Sequence, residues 1–403
     1  MQPSSPVILT LNGGSSSIRF GIYRIDRELK LLRHGKLDRI GMGYSQIGSS
    51  TEDGGWAETP VGAVDYASAT RQLMEWLAAE NLLASVSAVG HRVVHGMGHS
   101  EPQTVTPELM IDLARIVVVD PDHLPGEMEL MQACRVQLPN IPQVACFDTA
   151  FHHRMPAVAR MMAVPRRLMD LGVQRYGFHG LSYAYLLEVL ARTSRIDVTA
   201  GNVILAHLGN GASMTAVQNG HSIDTSMGFS SAGGLPMGTR SGDLDPGLAS
   251  YLQRTDHMSP RRFDAMVNHE SGLLGMSETS ADMRDLLASE ARDPRAAEAV
   301  ALFCYQAKKL LGAYAAALGG LDTIVFSGGI GENSAAIRSR VCDGLGFLGI
   351  ALDEARNAKH AALISTDASR VEVRVIRTDE ALMLARAVCR VLGYELHTGE
   401  ERP

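Results

Sequence analysis

A chain of 403 residues, 45% hydrophobic and 20% charged, has the composition of a soluble globular protein and is too long for one ordinary core, so two domains are expected. A net charge of −7 gives no global attraction to nucleic acid or to an anionic membrane, and any anionic ligand must be held by local arginines and loop amides. Five scattered cysteines (Cys134, Cys146, Cys304, Cys342, Cys389) without a Cys-x-x-Cys pair, and an N-terminus without a signal-peptide pattern, predict free thiols in the cytoplasm.

The apolar run Val7-Ile8-Leu9, the turn Asn12-Gly13-Gly14-Ser15-Ser16-Ser17 and the alternating run Ile18-Arg19-Phe20-Gly21-Ile22-Tyr23 predict a strand, a tight turn and a second strand. The glycines free the bend, and the serine hydroxyls and turn amides can donate to an anion. Residues 30–40 continue as a third strand, and residues 42–53 read as a Gly/Ser-rich loop. Residues 63–83 have helical spacing, and residues 86–94 read as a buried strand ending in His91-Arg92-Val93-Val94-His95. Thr106-Pro107-Glu108 starts a helix with a cap, a proline at the first position and an early acid. Pro121 and Pro125 bracket Asp122-His123-Leu124 as a loop before a helix near Glu127, and residues 141–147 form a strand running into Asp148.

In the second half, Gln174-Arg175-Tyr176-Gly177-Phe178-His179-Gly180 is a loop and residues 181–192 a helix. Residues 202–224 repeat the first hairpin around His207-Leu208-Gly209-Asn210-Gly211-Ala212-Ser213, with Ser213 as the counterpart of Ser17. One such hairpin per half predicts a duplicated domain with two phosphate-facing loops across a cleft. Residues 227–245 form a long Gly-rich loop containing Thr239-Arg240-Ser241-Gly242-Asp243, and Asp245-Pro246 caps the next helix. Helices then run to Leu318; the apolar stretch 301–321 is broken by Lys308-Lys309 and reads as amphipathic rather than as a membrane span. The buried strand Thr323–Ser327 meets the loop Gly328-Gly329-Ile330-Gly331-Glu332-Asn333, residues 371–376 are the last strand, and Thr378-Asp379-Glu380 starts the final helix. Strands alternating with helices make an α/β chain whose ligand sites gather at the C-terminal ends of the strands.

No Gly-x-x-x-x-Gly-Lys-Ser/Thr loop is present, which excludes a P-loop. Phosphoryl transfer on this chain must draw its amides, metal-side carboxylate and cations from hairpins and strand-end loops. Asp148 reads either as a cap on the next turn or as a carboxylate that orients a metal or nucleophile. Arg92 follows a strand, and Arg240 lies in a Gly-rich loop where it could also pair with Asp243. Glu380, in a first helical turn, reads by default as an acid complementing the helix dipole. His91 and His95 lack the glutamate of a His-Glu-x-x-His helix, which argues against zinc, and the 19 methionines read as core filler.

Taken together, eight segments resemble the acetate kinase family of the acetate and sugar kinase, actin and chaperone ATPase superfamily. They are Asn12-Gly13-Gly14-Ser15-Ser16-Ser17, Gly90-His91-Arg92-Val93-Val94-His95-Gly96, Phe147-Asp148-Thr149-Ala150-Phe151-His152, Arg175-Tyr176-Gly177-Phe178-His179-Gly180, His207-Leu208-Gly209-Asn210-Gly211, Met237-Gly238-Thr239-Arg240-Ser241-Gly242-Asp243, Gly328-Gly329-Ile330-Gly331-Glu332-Asn333 and Thr378-Asp379-Glu380. The resemblance implies duplicated actin-like ATPase (ribonuclease H-like) domains facing a central cleft. Residues 1–150 with 384–403 would form the first, and residues 151–383 the second, nucleotide-binding and dimerising one. It implies reversible, direct in-line transfer of a phosphoryl group from ATP to acetate, giving acetyl phosphate and ADP, with Mg2+ or Mn2+, in a cytoplasmic homodimer.

By the same resemblance, Asn12 and Glu380 would position the metal, and Asp148 would be the acid/base or a metal-linked carboxylate. Arg92 and Arg240 would hold the acid and the migrating phosphoryl group, and His179, with His123 beside it, would stabilise the transition state. Val93 and Phe178 would line the acetate pocket. Arg19, His207, Leu208, Gly209, Asn210 and Gly211 would surround the nucleotide phosphates. Asp282, Met283, Arg284, Gly329, Ile330, Gly331, Glu332 and Asn333 would hold the adenosine. A carboxylate acceptor is already anionic and needs shielding rather than deprotonation, which favours alignment over general-base work for Asp148.

Three positions depart from the family pattern: Arg19 replaces a lysine, and an ungapped reading puts Asp122 at a pocket leucine and Ser231 at a pocket proline. A buried unpaired Asp122 would cost several kcal/mol, so it must face out, find a partner or line a more polar pocket. The departures leave a kinase for another short acid, propionate or a hydroxy acid, as an alternative, with a non-kinase actin-like nucleotide switch as a third reading.

Overall fold

The computed structural model describes residues 5–14, 16–51, 54–62, 64–194, 197 and 199–396. It divides into one unit of residues 1–150 with 379–403 and another of residues 151–378. Of the residues read from sequence, Ser15 of the first turn, Glu52, Asp53, Ala63 and residues 397–403 lie outside those described.

The first unit is built on β1 (Val7–Gly13), β2 (Ser17–Ile25), β3 (Leu29–Asp38), β4 (Ser45–Ser50), β5 (Trp56–Gly62), β6 (Val86–Val93), β7 (Gln103–Thr104) and β8 (Gln143–Phe147). Their order in the sheet is β5-β4-β3-β2-β1-β6-β8-β7. Strands β1 to β5 pair antiparallel in sequence, whereas β1 pairs parallel with β6, and β6 with β8. β1 is central and buried almost throughout, which is why it reads as an unbroken aliphatic run rather than an alternating one. The helix Glu380–Leu392 packs on β1, β6 and β8, so closely that a Cβ at Gly90 would come within 2.8 Å of Val388.

Residues 42–53, expected as a loop, contain β4, and β5 follows it. The small residues there serve close packing rather than slack in the chain. A Cβ on Gly48 would lie 2.6 Å from the Trp56 indole, and one on Gly35 would lie 2.6 Å from the Phe20 ring. The helix Pro107–Ile116 starts at its expected cap, with Thr106 Oγ1 accepting from Leu109 N at 3.2 Å. The next helix, Leu124–Gln137, begins earlier than predicted, because Pro125 fits its first turn, where no amide donor is needed. The expected loop therefore ends at His123.

The second unit repeats the scheme with β9 (Asn202–Leu208), β10 (Ala212–Gln218), β11 (His221–Thr225), β12 (Thr323–Ser327) and β13 (Glu372–Val375), in the order β11-β10-β9-β12-β13. Three antiparallel strands are followed by two parallel ones, as in β3-β2-β1-β6-β8 of the first unit. This shared order is the duplicated ribonuclease H-like arrangement of actin-like ATPases.

The helix Pro294–Leu318 buries Ala296, Val300, Phe303, Ala307, Leu311 and Leu318 along one face and ends on Gly319 in the left-handed conformation. Among the described residues, no helix is long and apolar enough to cross a membrane. Gly328–Asn333, expected as a loop, is a short helix. Gly328 turns the chain into it at φ +75°, where a Cβ would stand 2.7 Å from the Leu208 carbonyl oxygen. At the helix Gly247–Thr255 the cap position is Pro246 itself, and Asp245 Oδ1 accepts from Gly247 N at 2.6 Å. All five cysteines are free and buried.

Candidate functional site

In the first unit, β1, β6 and β8 run parallel or adjacent, so their C-terminal ends bring Asn12, Arg92 and Asp148 to one edge of the sheet. The first residue of the helix Glu380–Leu392 joins them. Arg92 Nη2 and Nε both donate to Asp148 Oδ2, at 2.6 and 3.1 Å, and Nη1 donates to Asn12 Oδ1 at 3.2 Å. Asn12 Nδ2 in turn donates to Glu380 Oε2 at 2.7 Å. The Asp148 side chain is 0% exposed and that of Arg92 13%, so this is a buried ion pair linked to a second carboxylate through a neutral amide. Burial pulls the Arg92 guanidinium towards losing its proton, but Asp148 and Glu380 outweigh it and fix the positive charge. Asp148 stands at the head of the turn Asp148–His152 with one carboxylate oxygen on Arg92.

Glu127, which sequence reasoning left as an ordinary helix residue, lies buried behind this pair and accepts Val94 N on both oxygens at 3.1 and 3.2 Å. Burial pushes its carboxyl well above the ordinary range, against the pull of Arg92. His123 occupies the cap position of the helix Leu124–Gln137 and shares Nδ1 with Asp120 Oδ1 at 2.8 Å. Asp122 is exposed, so it buries no charge. Val93 is fully buried, in one apolar cluster with Leu124 and Phe147. Arg19 is exposed and stands opposite Asn12 in the β1–β2 register, on the same face of the sheet. His91 is buried with Nε2 2.8 Å from the Gln143 side-chain amide, and burial lowers its pKa to about 4.

In the second unit, His179 is the cap residue of the helix Gly180–Thr193, in the left-handed conformation at φ +59°. For a residue with a Cβ this costs about 1–2 kcal/mol, and the surroundings hold it there. His179 Nδ1 lies 2.8 Å from Ser213 Oγ, and Ser213 Oγ makes a short hydrogen bond with the Tyr183 hydroxyl. The preceding carbonyl, of Phe178, accepts from His152 Nε2 at 3.1 Å. His152 is buried and accepts at Nδ1 from Ser222 Oγ at 2.8 Å, and burial lowers its pKa to about 4. The side chain of Phe178 is itself buried. Ser213, the counterpart of Ser17 in the repeated hairpin, is 0% exposed and turned inward beneath His179. The His207 ring stacks on His179 with centroids 4.4 Å apart.

Glycines set how close the loops come. A Cβ on Gly211 would lie 3.4 Å from His179 Nε2 and 3.5 Å from Arg240 Nη2, so both nitrogens reach the same small space beside that residue. Gly238 lies directly against Asn210 Oδ1, and its N donates to the Asn210 carbonyl at 2.9 Å. Gly209 is packed between the Gly211 carbonyl and Gly329 N. Arg240 Nη1 donates to the Ser231 carbonyl at 2.9 Å, while Asp243 Oδ1, the partner considered for Arg240, accepts from Gly234 N.

The residues assigned to adenosine fall into two groups. Asp282 caps the helix Met283–Ser289 and is gripped by Arg284 Nε and Nη2, with Arg284 exposed and Met283 buried. In the helix Gly328–Asn333, Glu332 Oε1 accepts from Gly328 N at 2.9 Å and Thr378 N at 3.2 Å, and Asn333 Nδ2 donates to the Gly329 carbonyl. Glu332 is thus held as a local cap. Ile330 and Gly331 form the middle of that helix, and Arg338 Nη1 donates to the Gly331 carbonyl.

Two copies of one five-stranded scheme give the chain an actin-like fold, with carboxylates and the Arg92 guanidinium at the strand ends of one unit and glycine-lined loops in the other. Residues 7–386 match the sequence model of the Acetokinase family, and the chain belongs to that family, whose members are phosphotransferases with a carboxyl group as acceptor. It is 44% identical over 398 residues to an acetate kinase of Rhodopseudomonas palustris, covering 96% of this chain and 98% of that one. It is 40% identical over 391 residues to a propionate kinase of Citrobacter rodentium, covering 95% and 96%. Among solved structures, an acetate kinase of Porphyromonas gingivalis superposes with a TM-score of 0.86 at 33% identity, covering 96% of this chain and all of that one.

Proposed function

We propose that the protein transfers the γ-phosphoryl group of ATP to acetate, reversibly and by direct in-line displacement, giving acetyl phosphate and ADP. The observation that carries the chemistry is the buried Arg92–Asp148 pair tied through Asn12 to Glu380. A carboxylate acceptor approaches the phosphoryl group as one anion approaching another, so the site must shield charge rather than remove a proton. Arg92 binds and orients the acid, and Asp148 sets the direction in which that guanidinium points. Arg240 and His179 Nε2, sharing the space beside Gly211, donate to the oxygens of the group in flight. His207 to Gly211 and the amide ends around Gly329 cradle the nucleotide, with Asp282 to Arg284 towards the adenosine.

The carboxylates of Asp148 and Glu380, with the amide oxygen of Asn12, are hard oxygen donors of the kind Mg2+ or Mn2+ takes together with phosphate oxygens. When bound, the cation neutralises charge on the β- and γ-phosphates. The free, buried cysteines support a reducing compartment, the cytoplasm. A homodimer joined through the second unit is the family expectation, and light scattering on the purified protein measures it.

The 40% identity to a propionate kinase supports a second reading in which a longer acid is preferred. The exposed position of Asp122 removes the reason to expect a polar acid pocket from that residue. Hydroxamate trapping with acetate, propionate and glycolate decides the acid. The highest kcat/KM on acetate is expected, and a tenfold preference for propionate would replace that reading.

A further inference from the structure

Three polar atoms stand in line beneath the candidate transition-state residue: the Tyr183 hydroxyl, Ser213 Oγ and His179 Nδ1. Ser213 Oγ has one proton and two neighbours, so it donates to one and accepts from the other. If it donated to Tyr183, His179 would carry its proton on Nδ1 and present a bare Nε2. If it accepts from Tyr183, it donates to Nδ1 and His179 carries the proton on Nε2. A phenol is the more acidic hydroxyl and an imidazole nitrogen the better acceptor, so the second arrangement is favoured. It is also the one that serves an anion, since Nε2 reaches the same space beside Gly211 as Arg240 Nη2.

The anchoring is rigid on every side. Ser213 is 0% exposed, Tyr183 is 0% exposed, and the backbone before His179 is held by His152. A carbonyl only accepts, so the His152 contact with Phe178 fixes the proton of that ring on Nε2 as well, with Ser222 donating to Nδ1. His152 thus has its tautomer set by a carbonyl with Ser222 on Nδ1, and His179 has a serine hydroxyl at the same ring position.

We propose that Tyr183 and Ser213 form a hydrogen-bond relay that fixes His179 in the tautomer protonated on Nε2, making them positioning residues for the donor that faces the transferred group. The functional part of this inference rests on the acyl kinase reading; the tautomer itself does not. The full-length protein labelled with 15N-histidine tests it by long-range 1H–15N correlation, with the His179 signals identified by their loss in His179→Gln. The wild type should show a protonated Nε2 and a bare Nδ1. Ser213→Ala should give a mixture of tautomers, with kcat about ten- to hundredfold lower and both KM values within about twofold. Tyr183→Phe keeps the ring packing and should shift the same signals, so it carries the test if Ser213→Ala melts early. A wild-type His179 protonated on Nδ1, or tautomers unchanged in both variants, overturns the relay. Variants that lose the tautomer while His179→Gln keeps full acyl phosphate formation would uphold the relay and remove His179 from the reaction.

Discussion

The hairpins β1–β2 and β9–β10 occupy the same place in the two sheets, and the groups gathered around them differ. The first unit gathers full charges: Arg92 between Asp148 and Asn12, and Glu380 beyond. The second gathers hydroxyls, imidazoles and glycines, with Arg240 held by the Ser231 carbonyl. A repeated scaffold thus fixes where groups are presented, and the chemistry of each copy depends on a few residues at its strand ends. On the proposed function, the first set serves the acid and a cation and the second the polyphosphate chain.

If that contrast is right, removing charge should hurt the first unit far more than removing a hydroxyl or a glycine hydrogen hurts the second. Arg92→Leu leaves Asp148 buried without its partner and should lower stability by about 3–5 kcal/mol, with acyl phosphate formation down by about 10³-fold or more. Urea unfolding and hydroxamate trapping measure the two effects. A variant with near-normal activity would remove Arg92 from the site.

Each unit also contains a histidine that burial keeps neutral, His91 in the first and His152 in the second. Both have folded pKa values of about 4, below the ordinary 6.5, so the unfolded chain takes up protons first as pH falls. Stability is full above about pH 6.5 and is lost on acidification towards pH 4, by about 2 kcal/mol per histidine between pH 7.5 and 5. His91→Gln and His152→Gln should each flatten the pH dependence of the urea midpoint by one such share. An unchanged slope in both would contradict the burial argument.

Gly211→Ala places a methyl group at ordinary contact distance from His179 Nε2 and Arg240 Nη2. It should cost about a hundredfold in kcat/KM, with the melting temperature within about 2 °C of wild type, because the methyl takes up ligand space and strains nothing. The smallest effect is expected at Glu332. As a local cap it should lose about 1 kcal/mol on Glu332→Ala. A small rise in KM for ATP should accompany it, whereas a large one with no loss of stability would mean direct nucleotide contact.

The apolar runs of β1, β6, β8, β9 and β12 are legible because a strand buried on both faces reads as a continuous aliphatic stretch. The same property hides side-chain direction. Ser213, between buried Ala212 and Met214, has no alternating pattern to say which way it points. β4 escapes notice because its glycine and serines signal a loop until the Trp56 ring that packs on Gly48 is seen. Glu127 escapes because a glutamate on a helix defaults to solvent, and only the Val94 amide shows why this one is buried. The motif residues Asn12, Arg92, Asp148 and Glu380 are legible by type and position, yet their linkage depends on strand neighbours far apart in sequence.

The back reaction tests the central claim most directly, because it requires the acyl phosphate chemistry and the nucleotide site at once. Purified protein given acetyl phosphate, ADP and Mg2+ should make ATP, read by luciferase, and should lose that activity when either substrate is omitted. Failure to form ATP, together with hydrolysis of ATP at a rate independent of added acetate, would contradict the assignment.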